Sequence, residues 1–378
     1  MQNQRRIDAH SLILDVTKYD AHRILKAAGR YLSRQPATIT DYVCPRSAGT
    51  KHDFYSEGDY WWPDSEHPDL PYVRRDGISN PAIFSEHRRL LMQMSIEVAA
   101  LASAWTITRD VEYANHAISH LVAWFVEERT RMHPSLNFAQ AIHGRATGRG
   151  IGIVDTIHLV EVALAVESLM LVPSAPRPKL AQVRVWFAEY LKWLTTHSFG
   201  VKEQNEPNNH ATCWVMQVAA FSRLTGNYRL TVLCRNRFRS VLIPGQTAID
   251  GSFPREIART KPYNYSLFNL ELMGAVCQIL STPEDNLWRF ELEDGRGMRR
   301  CLEFIAPYIR DKKKWPFKED VMYYEHWPMR HSALLFGGLA LQIPEFVSLW
   351  TTLEPDSLVH EVIRNFFIRQ PILWLKSH

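Results

Sequence analysis

Glu206-Pro207-Asn208-Asn209-His210-Ala211-Thr212-Cys213-Trp214 sets two carboxamides and an imidazole side by side, directly ahead of a long apolar-periodic run. Pro207 suits a helix start, and Asn208 or Asn209 suits an N-cap, where a side-chain oxygen takes a free backbone N–H. The helix then runs through Trp214, Val218 and Phe221 to Gly226. On that reading Asn209 and His210 lie in the first turn, at the rim of a helical scaffold that a polymer can reach. The competing reading makes Asn209 a cap and His210 a surface residue, so the rest of the chain has to decide.

Outward from this stretch the periodicity is helical almost everywhere. Spacing near 3.6 predicts helices over 19–34, 85–108 (with Ser85 as N-cap), 110–127, 153–171, 178–196, 209–224, 228–242, 265–280, 297–309 and 330–341. A last one is predicted over 359–375, kinked or ended by Pro371. Few strand patterns alternate, so the fold class is all-α. A solenoid and a closed α/α toroid both fit paired helices, and the lack of a fixed repeat period favours the toroid. We expect one α/α-toroid catalytic domain over 1–378, its cleft made from loops gathered at one mouth.

Residues 38–81 break all periodicity. A long irregular segment inside a compact domain is functional or disordered, and Phe54, Tyr55, Tyr60, Trp61 and Trp62 make this one too aromatic for a solvated tail. It reads as an ordered, lid-like loop over the cleft. The run Leu-Asn-Phe-Ala-Gln-Ala-Ile-His-Gly-Arg-Ala-Thr-Gly-Arg-Gly at 136–150 is glycine-rich but matches no phosphate loop and follows no strand of a βαβ unit. It reads as a loop presenting Gln140, His143, Arg145 and Arg149 to the cleft.

Composition narrows the classes. The chain has 378 residues, 46% hydrophobic, 22% charged, with a net charge of +4. Basic residues form only short clusters at 235–239 and 312–314, so nucleic acid is not the expected partner. The 12 Trp and 14 Tyr residues are many for a helical protein and suit either core filling or sugar-stacking platforms. Five scattered cysteines (Cys44, Cys213, Cys234, Cys277, Cys301) contain no C-x-x-C pair, which argues against both a zinc site and a disulfide framework. Residues 1–16 hold no long apolar stretch, so neither a signal peptide nor a membrane span is expected. The location is periplasmic or secreted if a leader was removed and cytoplasmic otherwise.

A second polar segment, 250–270, holds Arg255, Arg259, Lys261, Tyr263 and Tyr265 ahead of a helix. Taken alone, its arginines suit surface pairing with Glu256, and Tyr263 suits packing. Taken together, Asn-Asn-His at a helix start followed some fifty residues on by Asp-Gly-Ser-x-Pro-x-Glu-x-Ala-Arg and Tyr-x-x-Phe resembles the alginate-lyase-type superfamily of polysaccharide lyases. The likeness covers about 46–330, including His-Asp-Phe-Tyr-Ser-Glu-Gly-Asp-Tyr-Trp-Trp-Pro and Gly-Arg-Gly-Ile-Gly-Ile-Val-Asp-Thr, and extends to lyases of alginate, glucuronan and related polyuronates. It implies an active site of Asn209, His210, Arg259 and Tyr265. The Arg-to-Tyr spacing is shorter than in those lyases, so Tyr263 competes with Tyr265, and the Tyr-x-x-Phe register favours Tyr265.

The chemistry accounts for these residue types. The C5 hydrogen of a 1,4-linked uronate is a weak acid, and removing it builds charge on a carboxylate that is already negative. Amide, imidazole and guanidinium donors offset that charge. A tyrosine whose pKa is lowered from about 10 by a neighbouring arginine takes the proton and returns one to the leaving O4. In mannuronate and glucuronate the C5 hydrogen and O4 share a face, so one residue serves both steps. In guluronate the elimination is anti, and His210 would act as base. This mechanism requires no metal and no cofactor. The expected partner is an acidic polysaccharide or oligosaccharide. His52, Tyr55, Arg74, Arg75, Gln140, His143, Arg145, Arg149 and Tyr263 are candidates for neighbouring subsites, and Trp61, Trp62 and Trp315 for platforms, with His143 a second candidate base. A cluster at 323–327 could line the opposite wall. Two alternatives stand beside the lyase. One is a glycoside hydrolase on the same toroid, drawing two carboxylates from Glu57, Asp59, Glu206 and Asp250. The other is a non-catalytic polyuronate-binding protein.

Overall fold

The computed structural model describes residues 14–67 and 69–375. The reading of the first residues as lacking a leader lies mostly outside them. The fold is an α/α toroid, 58% helical with few strands. Its inner helices are α2 (Glu86–Thr108), α4 (Leu159–Leu169), α7 (Asn209–Thr225), α11 (Pro262–Leu280) and α13 (Ser332–Leu341), each packing on the next in the order α2–α4–α7–α11–α13. These helices are apolar nearly all round, as helices enclosed by others must be. In α11 only Tyr265 and Gln278 escape burial. Around them lie outer helices: α1 (Val16–Tyr31) and α3 (Val111–Phe125) against α2, and α5 (Arg177–Thr196), α6 (Ser198–Gln204) and α8 (Tyr228–Arg237) against α7. Further on, α12 (Met298–Arg310) and α14 (Pro344–Thr351) cover α13. One contiguous core runs from Val16 to Trp374. Of the described helices, α2 is long and apolar enough to cross a membrane, but its apolar window lies largely buried inside the ring.

Several helices start where buried carboxylates, remote in sequence, take their unpaired N–H groups. Asp320 accepts from Tyr263 N (2.8 Å) and Asn264 N (3.0 Å), which fixes the start of α11 at Pro262, three residues before the periodicity predicts it. Glu271 does the same for Ser332 and Ala333 at the head of α13. Glu161 takes Arg369 N, Gln370 N and Trp374 Nε1 (2.8–3.0 Å) at the C-terminal turn.

Three sequence expectations are corrected in detail. The stretch 153–171 is not one helix: Gly150–Thr156 is a 3-10 turn and α4 begins at Leu159. Residues 359–375 form two short helices, α15 (His360–Asn365) and α16 (Pro371–Trp374), because a proline biases its predecessor away from helical backbone. The helix α14, opened by Pro344, went unread although proline at N1 announces it.

The irregular segment is held by two short ribbons. Strand β1 (Tyr55–Glu57) pairs parallel with β4 (Phe138–Ala141), and β2 (Trp61–Trp62) pairs antiparallel with β3 (Val73–Arg74). The glycines at 148–152 serve this packing: a Cβ on Gly148 would stand 1.9 Å from Asn137 O. All five cysteines are free and buried.

Candidate active site

A cavity of about 370 Å³ opens where the β1–β3 segment meets the ends of α7 and α11. Asn209, His210, Arg259 and Tyr265 all line it. Asn208, not Asn209, caps α7: its side-chain oxygen accepts from His210 N at 3.3 Å. Asn209 is thereby free for another role.

Three of the four lining side chains, those of Asn209, His210 and Arg259, are each oriented by a carboxylate. Glu256, on the single turn α10 (Pro254–Ile257), accepts from Asn209 N (2.8 Å) and Asn209 Nδ2 (2.6 Å). Burial pushes the Glu256 carboxyl up, while Asn209, Arg259 and His210 pull it down. Glu203, fully buried on α6, holds His210 Nδ1 at 2.8 Å. Asp76 takes Arg259 Nη2 at 3.2 Å and Thr260 Oγ1 at 3.0 Å.

Tyr265 lies under Arg259, whose guanidinium carbon is 4.7 Å from the ring centre. Its hydroxyl is 2.8 Å from that of Tyr60, which arrives from the irregular segment. Burial pushes the Tyr265 phenol up to about 12; Arg259 and Tyr60 pull it down by less. The expectation that arginine would lower it below 10 is therefore corrected in direction: burial outweighs the cation. Tyr263 takes the opposite side. Two residues apart on a helix means about 200° of rotation, so both rings cannot face one space. Tyr263 is buried in the core, donates to Tyr308 O at 3.0 Å and packs on Trp315 and Tyr324.

The other sequence candidates divide. Trp61, Arg74, Gln140 and Arg149 line the cavity. The Arg145 and Arg149 guanidiniums stand 5.5 and 5.7 Å from the Trp61 ring centre. Arg74 is paired with Asp76. Gln140 has a left-handed backbone (φ 56°), and its Nε2 is fixed by Asp155 at 3.0 and 3.1 Å. Arg149 donates to Gln140 O at 2.7 Å, and burial brings its guanidinium down to about 10. Eight candidates lie outside the cavity lining. Tyr263 and Trp315 are core residues, and Tyr55 is buried with its hydroxyl on Glu57. Trp62 donates to Ile78 O beneath Arg75, and His52 contacts Arg131 O through Nδ1. Arg75 stacks on Trp62, while the exposed His143 stacks on Tyr72. Arg145 reaches the cavity only through the outer face of Trp61 and is tied to Tyr72 O. In the 323–327 cluster, Tyr323 covers Lys261 Nζ at 5.1 Å.

Sequence reading missed the cavity floor. Asp59 binds Arg88 (2.7 Å) and Arg364 (2.9 Å), and Asp155 binds the same two arginines at 3.2 and 3.3 Å. Glu361 pairs with Lys261 at 3.2 Å and with Arg364 at 3.6 Å. Burial raises the Asp59 carboxyl, but Arg364 and Arg88 win and hold it well below the usual range. Glu361, Arg364 and Asn365 come from α15, where the sequence showed only an apolar run. The hydrolase carboxylates are not set as an acid and base pair. Glu57 is tied to Arg46 and Tyr55, Asp59 is held ionised, and Asp250 lies outside the lining; Glu206 lines the cavity without a paired acid.

Comparison with known proteins supplies the family and the fold. The sequence model of the alginate lyase family matches residues 38–315. The structure superposes on an alginate lyase from Bacteroides ovatus with a TM-score of 0.83 at 27% identity, covering 96% of this chain and 97% of that one. It also matches a histidine-to-alanine variant of alginate lyase A1-III in complex with a tetrasaccharide, with a TM-score of 0.60 at 13% identity over 94% of both chains. Alginate lyase A1-III from Sphingomonas species A1 gives 0.54 at 13% identity over 83% and 84%. No curated protein sequence matches the chain. With the family matched over most of its length, the chain belongs to the alginate lyase family and is a polysaccharide lyase.

Proposed function

We propose that the protein cleaves a 1,4-linked polyuronate containing mannuronate or glucuronate by syn β-elimination, with Tyr265 as base and then acid. The observation that carries this reading is the convergence of Asn209, His210, Arg259 and Tyr265 on one cavity, three of them oriented from behind by carboxylates. The uronate carboxylate is received by Asn209 and His210, whose donors offset its charge as C5 becomes carbanionic. Tyr265, as phenolate, takes the C5 proton; the C5 electron pair forms the C4–C5 double bond; the C4–O4 bond breaks; and the tyrosine proton passes to O4. Arg259 above the ring favours the phenolate, and the Tyr60 hydroxyl donates to it. Arg149, a half-buried guanidinium with no carboxylate within salt-bridge distance among the described residues, suits the carboxylate of a neighbouring sugar, with Trp61 as its platform.

The test is ultraviolet absorbance of the unsaturated product over time on polymannuronate, glucuronan, polyguluronate and a hyaluronan control, each repeated with Tyr265→Phe. A rise on mannuronate or glucuronate polymer that vanishes in the variant is expected. Reducing ends released without absorbance would overturn the elimination.

A further inference from the structure

Lys261 lies outside the cavity lining, and its side chain has no exposed surface. Burying an ammonium is costly unless it is paired. Its Nζ finds a carboxylate in Glu361 Oε1 at 3.2 Å. The same Nζ stands 5.2 Å from the centre of the Tyr60 ring and 5.1 Å from that of Tyr323, so two aromatic rings share one cation. A cation this close to a ring face is attracted to it, most strongly where water is excluded. The partners come from three separate segments: Tyr60 from the irregular loop, Tyr323 from the 323–327 cluster and Glu361 from α15. Lys261 itself precedes α11, and its carbonyl accepts from Tyr265 N at 3.0 Å. The Tyr323 side is fixed without the lysine side chain, because Val321 N donates to Thr260 O at 3.1 Å and Asp320 takes Tyr263 N and Asn264 N. Tyr60 has less to hold it. It sits in the turn ahead of the two-residue strand β2, and among the described residues its side chain makes one hydrogen bond, to the Tyr265 hydroxyl.

We propose that Lys261 is a positioning residue: its buried ammonium holds the Tyr60 ring against the start of α11 and so keeps the Tyr60 hydroxyl on that of Tyr265. Its effect on the reaction rests on the reading above, in which Tyr265 is the base and Tyr60 donates to it. The backbone of Lys261 supports the turn that carries Tyr265, while its side chain supports the ring that reaches Tyr265 from the loop. The distance between the two hydroxyls is thereby set from one point of the chain, and the loop takes part in the chemistry through a residue that meets no substrate.

The experiment compares the unaltered protein with Lys261→Met, which keeps a long apolar stem and removes the charge. Because this leaves Glu361 with Arg364 as its remaining cation, Lys261→Met is also combined with Glu361→Gln, which leaves no stranded charge if the single variant fails to fold. We expect kcat on the preferred polymer to fall about tenfold in both, as for loss of the Tyr60 hydrogen bond, with KM of Lys261→Met within about twofold of the parent. In a Tyr60→Phe background Lys261→Met should change kcat by less than about twofold, because the contact it serves is already gone. A crystal structure of either variant should show the Tyr60 hydroxyl beyond hydrogen-bond distance of Tyr265. The proposal falls if that hydrogen bond persists, if kcat in both variants stays within about twofold of the parent, or if the Tyr60→Phe and Lys261→Met losses multiply in full. Full activity in Tyr265→Phe would instead overturn the elimination reading, and the hydroxyl separation would still decide what Lys261 holds.

Discussion

The two walls of the cavity are built on different principles. The helical wall carries Asn209, His210, Arg259 and Tyr265 on or beside the starts of α7 and α11, and three of the four are oriented by a carboxylate of their own: Glu256, Glu203 and Asp76. The loop wall carries Asp59, Tyr60, Trp61 and Arg74 on an irregular chain with two-residue strands. Its most deeply buried fastening is where Asp59 joins the Arg88–Asp155–Arg364 network. Where rigid helices supply the frame, short local hydrogen bonds aim each group. Where the backbone supplies no frame, charge drawn from three distant segments replaces it. The first arrangement suits chemistry, which tolerates little displacement. The second suits a cover that has to admit a polymer.

The sharpest break of this contrast is Tyr265→Phe, which should cost about 10³- to 10⁴-fold in kcat while leaving the melting curve in place. The same group sets the pH response. A phenol pushed up to about 12 is still losing its proton across the neutral and mildly alkaline range, so phenolate grows with pH. kcat/KM should accordingly rise between pH 7 and 9, by about tenfold per unit while phenolate is the minor form. A flat profile would move the base away from Tyr265.

Arg88→Ala attacks the other wall. It strips Asp59 and Asp155 of a shared buried partner, and the loss should be about 3–5 kcal/mol in urea unfolding. Asn209→Ala tests the helical wall again, with an expected loss of about 100-fold in kcat/KM and, because Glu256 loses a buried partner, about 1–3 kcal/mol of stability. Tyr60→Phe removes the one direct bond between the reacting group and the loop wall, and about tenfold in kcat is expected for a lost hydrogen bond to the phenolate. Smallest of all, His143→Ala and Arg75→Ala, both outside the cavity lining, should stay within about twofold of the parent rate and stability.

The walls also differed in how legible they were. The core helices α2, α3, α5 and α7 follow from apolar spacing, and the placement of Asn209 and His210 follows from a proline and a capping asparagine at a helix start. Tyr265 over Tyr263 follows from helix rotation once the start of α11 is known, but that start is set by Asp320, 55 residues or more away in sequence. The orienting acids were invisible for a related reason. Glu203 and Glu256 look like any surface glutamate, and only the packing of α6 and α10 onto α7 buries them. Arg364 and Glu361 sat inside what read as an apolar tail, and nothing local signals that α15 folds back beneath residue 59. Aromatic residues in the loop were assigned to the sugar as a group, yet alternation within β2 sends Trp61 to the cavity and Trp62 away from it, while Tyr60 reaches the cavity from the turn ahead of the strand.

The return of α15 sets an order of events in time. Arg364 closes its contacts with Asp59 and Asp155 across more than 200 residues of intervening chain. As the chain leaves the ribosome, the four groups that line the helical wall are present about a hundred residues before the segment that completes the floor. Until α15 docks, Asp59 and Asp155 share Arg88 alone, two negative charges to one positive, and the loop that delivers Tyr60 has half its anchor. A nascent chain therefore carries the residues of the helical wall well before it carries a finished cavity, and the last helices to be made switch the loop from tethered to seated.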